Sequence, residues 1–126
     1  MSDLTSGTIV LLPGMMCDER LFAFQAEWLR QEAHRPFNVI VPRLDSANSI
    51  QGLADKILAE TPSSFALCGL SMGGIVAMEM MAQAPHRIER LALIDTNPLA
   101  ETTDGAVRRN RQIADVRAGK LKQVMA

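Results

Sequence analysis

The chain has 126 residues, of which 48% are hydrophobic and 21% charged, with a formal net charge of −1. That length suits one domain with a real core, and the balance gives no overall pull toward nucleic acid. No apolar run approaches the ~18 residues of a membrane span, and two cysteines, Cys17 and Cys68, are too few for a disulfide framework.

The opening stretch Met1 to Gly7 is polar and carries Asp3 in place of a basic residue, so it does not read as a secretory signal. Together with the two thiols this fits a reduced, cytoplasmic setting. "TIVLLP", Thr8 to Pro13, is a short β-branched apolar run closed by Pro-Gly, which predicts a buried strand and a loop. Asp18 to Ala33 predicts a helix, with Leu21, Phe22, Gln25, Trp28 and Leu29 at helical spacing. "FNVIVP" predicts a second strand. Asn48 and Ser49 then offer N-caps for a helix whose apolar stripe is Ile50, Leu53, Ala54, Ile57 and Leu58, stopped by Pro62.

"FALCG" predicts a third strand. Met72 to Ala84 is apolar nearly all round, which predicts a deeply packed helix ended by Pro85. "IERLALID" predicts a fourth strand. Strands alternating with helices imply βαβ units, hence an α/β fold with a mostly parallel sheet and helices on both faces.

After Asp95 the character changes. "TNPLAETTDG" is turn-rich, and residues 106–126 carry Arg108, Arg109, Arg111, Arg117, Lys120 and Lys122 against Asp115 alone, a net of +5 opposite −6 for residues 1–105. No aromatic residue interleaves with these charges, so the run reads as the solvated face of a weak helix, interrupted by Gly119, rather than a nucleic-acid contact.

The third strand runs into Gly69-Leu70-Ser71-Met72-Gly73, which fits G-x-S-x-G. Side chains two residues either side of a serine at a sharp strand-to-helix turn would collide, and glycine removes the collision. The turn lifts the Ser71 hydroxyl above the carboxyl edge of the sheet, at a helix N-terminus whose free N–H groups stabilise negative charge. A dinucleotide loop fits less well, because G-x-G-x-x-G is absent. No clustered His, Cys and Asp set predicts a metal, and no cofactor is implied.

With "LLPGMMCDERLF", "VIVPRLD" and "FALCGLSMGGIVAMEMMAQAPHRIERLALIDTNP", the chain resembles the α/β-hydrolase superfamily over residues 8–98, in the style of small bacterial carboxylic ester hydrolases and lactonases. The resemblance implies the N-terminal half of that fold, lacking the C-terminal strands. Residues 1–100 would form part of the core, and residues 101–126 the start of a helical cap. The four strands would stand side by side in the order second, first, third, fourth.

The resemblance also implies roles. Ser71 would be the nucleophile on its elbow. The backbone N–H of Met72 and that of Met15, with Met16 in reserve, would form the oxyanion hole. Where the family usually has His-Gly before the second donor, this chain has Pro13-Gly14. Asp95 stands on the edge of the sheet where some members place their acid, although a turn aspartate is the plainer reading of "DTNP". Cys17 and Cys68 read as packing.

A serine nucleophile needs a base within about 3 Å. His86 follows the helix that Ser71 opens, and His34 closes the helix before the second strand, so both belong to the opposite edge of the sheet. The expectation is therefore a serine hydrolase of a carboxylic ester, thioester or lactone whose histidine is not in this chain, weakly active or inactive alone. A small-molecule ester would be the substrate, with no nucleic acid or membrane. Self-association or a missing C-terminal half would cover the fourth strand. An acyltransferase, or a non-catalytic binding protein that kept the fold, are the alternatives.

Overall fold

The computed structural model describes residues 7–32 and 36–126. Its frame is a four-stranded sheet in the order β2-β1-β3-β4, with β1 at Thr8–Leu12, β2 at Asn38–Ile40, β3 at Phe65–Leu70 and β4 at Ile88–Ile94. Every adjacent pair is parallel. This is the strand order expected from the sequence, and the all-parallel pairing follows from crossovers that carry helices.

Period-2 alternation sends successive side chains of β1 and β3 to opposite faces, and both faces are covered. On one side Val10, Leu12, Phe65 and Leu67 pack with Leu53, Ala54 and Ile57 of α2 (Ile50–Glu60) and Val76, Ala77 and Met80 of α3 (Met72–Gln83). On the other, Leu11 and Val39 pack with Phe22 and Ala26. Burying each of the larger of these side chains contributes roughly 1.5–3 kcal/mol, so the core lies where β1 and β3 are sandwiched.

Local chemistry sets the helix ends. Ser49 caps α2 by accepting from the Gly52 N–H at 3.0 Å. Arg87, beyond α3, closes the far end of that face. Its Nη2 donates to the carbonyls of Leu58, Thr61 and Pro62 at 3.0, 3.0 and 2.7 Å, and its guanidinium lies 5.7 Å from the Phe65 ring centre.

Two features differ from the sequence reading. The segment expected as one helix from Asp18 winds as a 3-10 turn (Glu19–Phe22), a short α1 (Ala23–Glu27) and a π turn (Trp28–Glu32). Its buried stripe is Phe22, Ala26 and the half-buried Leu29, while Leu21, Gln25 and Trp28 are exposed. Helix α3 is buried through Gly73, Gly74, Val76, Ala77 and Met80, but the face carrying Ile75 is open. As the sequence reading expects, β4 is an open edge: among the described residues it pairs on one side only, and Leu91, Leu93 and Ile94 remain 41%, 40% and 45% exposed. His34 lies outside the described residues.

Beyond β4, Thr102 caps α4 (Thr103–Arg117), accepting from the Gly105 N–H at 3.0 Å. Gly119, at φ 85°, then ends it. The Lys120 N–H reaches the Asp115 carbonyl at 2.9 Å and the Gly119 N–H the Val116 carbonyl at 3.0 Å, which is a Schellman closure. The short α5 (Leu121–Met125) follows and packs on α4.

Candidate active site

Three non-glycine residues among those described have positive φ, and all three lie just beyond the carboxyl ends of strands: Met16 (64°) after β1, Ser71 (55°) after β3 and Asp95 (48°) after β4. Left-handed backbone at a non-glycine residue is costly and persists only where its surroundings enforce it.

Ser71 has ψ −116° and joins the last residue of β3 to the first of α3. Its two main-chain groups are held from the end of β4. The Ser71 N–H donates to the Ile94 carbonyl at 2.9 Å, and the Thr96 hydroxyl donates to the Ser71 carbonyl at 2.8 Å. The same carbonyl accepts from the N–H groups of Gly74 and Ile75 at 2.9 and 3.3 Å, the first bonds of α3.

The turn closes only because glycines surround it. A Cβ on Gly69 would stand 2.4 Å from the Gly73 carbonyl oxygen, and one on Gly73 would stand 2.1 Å from that of Leu12. One on Gly74 would meet the Thr96 Oγ1 at 2.5 Å. The spacing of the first two was readable from G-x-S-x-G. The third glycine is marked in the sequence only as the second glycine of "SMGG", and Thr96 carries no local mark.

The loop after β1 lies against this turn. A Cβ at Gly14 would come within 3.7 Å of the Ser71 Cβ. From Gly14 to Cys17 the chain makes a turn closed by the Cys17 N–H on the Gly14 carbonyl at 3.1 Å, with left-handed Met16 third in it, the form of a type II turn. Among the described residues neither the Met15 nor the Met16 N–H has a backbone acceptor. Met72, opening α3, belongs to the first turn, whose N–H groups have no acceptor within a helix. Met15 and Met72 line one cleft of about 450 Å³. The structure thus brings Ser71, Met72 and Met15 into one neighbourhood.

The cleft is lined by apolar side chains, among them the exposed Met15 and Met16 with Leu44 and Met72, and by the charged Asp18, Glu19, Arg43 and Asp45. Two of these carboxylates are paired with arginines. Arg43 binds Asp45, and Arg20 binds Asp18 at 2.7 Å. The hydrogen-bonded Arg20 guanidinium holds the Asp18 carboxyl down to about 2. Cys17 is exposed beside the cleft, with its Sγ 3.6 Å from the Met15 carbonyl oxygen. Burial pushes the Cys68 thiol above its ordinary value.

His86 follows α3, fifteen residues and roughly 22 Å of helix rise from Ser71. Asp95 is exposed, and its left-handed turn delivers Thr96 to the Ser71 carbonyl. Among the described residues no group of three or more His, Cys, Asp or Glu side chains is arranged to hold a metal ion, and no helix is long and apolar enough to cross a membrane.

No family model matches the chain. Over 50 residues it is 38% identical to a pimeloyl-[acyl-carrier protein] methyl ester esterase of Aromatoleum aromaticum, an alignment covering 40% of this chain and 20% of that protein. Over 59 residues it is 32% identical to the protein of the same name from Pectobacterium carotovorum, covering 47% and 23%.

Among solved structures, a thermophilic esterase from Thermogutta terrifontis superposes with a TM-score of 0.74 at 25% identity, over 92% of this chain and 46% of its own. A structure from a study of Nitrososphaera gargenis carboxylesterases does so with a TM-score of 0.78 at 18% identity, over 97% and 49%. The chain therefore spans about half the length of the solved structures it matches, and its alignments reach about a fifth of the curated relatives.

Proposed function

We propose, from the premise that the chain carries about half of an α/β-hydrolase fold, that it supplies the nucleophile and oxyanion donors of a serine hydrolase acting on a carboxylic ester, thioester or lactone. Ser71 attacks the carbonyl carbon, and the N–H groups of Met72 and Met15 hold the oxygen as it becomes negative. The proton of Ser71 goes to a histidine that does not stand beside it among the described residues. Residues 103–125, as α4 and α5, belong to a helical cap over the cleft.

The observation that carries this reading is the strained Ser71 backbone at the strand-to-helix turn, enforced by close contacts at Gly69, Gly73 and Gly74 and tethered at both main-chain groups. Strain maintained at this expense is characteristic of functional sites. The esterase names of the partial relatives support the same class of substrate. Taken alone, the chain is expected to bind such a compound better than it turns it over, because no histidine stands beside the turn among the described residues.

A fluorophosphonate probe tests the assignment. Slow labelling that rises with pH, mapped by peptide mass to Ser71 and lost in Ser71→Ala, is expected. An adduct on another residue, or none at any pH, would refute the nucleophile assignment.

A further inference from the structure

Ser71 C=O and Met72 N–H are the two ends of one peptide unit, which is planar and rigid. Whatever holds the carbonyl therefore aims the N–H. Three donors converge on that carbonyl, and the shortest contact is the Thr96 hydroxyl at 2.8 Å, ahead of the Gly74 and Ile75 N–H groups at 2.9 and 3.3 Å. The two amides belong to α3 and would be present in any helix. The hydroxyl comes from another part of the chain, 25 residues away.

Thr96 is also fixed in place. Asp95, at φ 48°, turns the chain back as β4 ends, and Ile94 accepts the Ser71 N–H on the near side of that turn. The side chain presses on the first turn of α3 so closely that a Cβ at Gly74 would lie 2.5–2.7 Å from its Oγ1, Cβ and Cγ2. The hydroxyl is thus held against one acceptor.

We propose that Thr96 is the positioning residue of the oxyanion donor: its hydroxyl orients and polarises the Ser71–Met72 peptide unit, so that the Met72 N–H is better aimed and more positive. The proposal rests on the roles given to Ser71 and Met72 above. A hydrogen bond donated to a peptide carbonyl draws electron density toward the oxygen and strengthens the N–H of the same unit as a donor. The effect grows as negative charge develops opposite the N–H, so it acts on the transition state more than on the bound ester.

The test compares Thr96→Val, which keeps the shape and removes the hydroxyl, with Thr96→Ser, which keeps the hydroxyl. Two quantities are read: the Met72 amide ¹⁵N shift, and the rate constant for fluorophosphonate labelling of Ser71. Thr96→Val is expected to move the Met72 resonance upfield while the core resonances stay, and to slow labelling about ten-fold, the loss expected of one hydrogen bond. Thr96→Ser is expected to recover most of both. A Thr96→Val protein whose Met72 resonance or labelling rate matches wild type overturns the proposal. If wild-type Ser71 takes no label, the nucleophile reading falls instead, and the Met72 shift alone decides whether Thr96 orients that peptide.

Discussion

Gly73→Ala is expected to remove most of the stability of the fold. The added Cβ would stand 2.1 Å from the Leu12 carbonyl oxygen, 2.5 Å from the Leu12 carbonyl carbon and 2.6 Å from the Pro13 oxygen. All three are backbone atoms at the end of β1, so no side chain can swing away. Relief requires α3 to separate from the sheet, and Val76, Ala77 and Met80 of α3 are wholly buried against it.

In an unobstructed helix the same change would stabilise by about 1 kcal/mol. A large loss therefore isolates the close approach. Separation of α3 should cost at least about 4 kcal/mol, a large share of the roughly 5–15 kcal/mol that stabilises a domain. Chemical denaturation monitored by circular dichroism reads this directly. A variant with wild-type stability would show that α3 does not sit on β1 as described.

The second large effect concerns rate. The 126-residue chain is expected to accelerate p-nitrophenyl acetate hydrolysis by no more than about 10³–10⁴-fold over water, the residue left by oxyanion donors and binding when a triad is incomplete. Members of such a unit are strongly non-additive. With the base away from Ser71, Ser71→Ala should lower steady-state turnover less than about ten-fold further. Fast turnover that collapses in Ser71→Ala would mean that a base stands beside Ser71 after all.

The parts of this site that were legible in the sequence are those governed by neighbours in the chain. G-x-S-x-G encodes a steric requirement between residues two apart, so Gly69, Ser71 and Gly73 declared the turn. Alternating strands and helices declared a parallel sheet, and the resemblance supplied its order, which the structure has.

What stayed hidden depends on contacts between distant segments. Thr96 reads as an ordinary turn residue until the left-handed backbone of Asp95 carries it 25 positions back to the Ser71 carbonyl. Gly74 reads as a helix glycine until Thr96 occupies the space beside it. Met16 carries no local mark of a positive φ, because methionine has none to give. The open edge at β4 was legible too: "LALI" ends the sheet with a partner strand on one side only among the described residues, and its leucines and isoleucine remain exposed.

The proposal at the centre is that Ser71 is held ready to attack with no histidine beside it among the described residues. The most direct measurement is the rate of fluorophosphonate labelling at Ser71 in the presence and absence of free imidazole, which can accept the proton in place of a side chain. Slow labelling that imidazole accelerates, confined to Ser71 and absent from Ser71→Ala, is expected. Fast labelling that imidazole leaves unchanged, or imidazole-driven labelling at any residue other than Ser71, would contradict it.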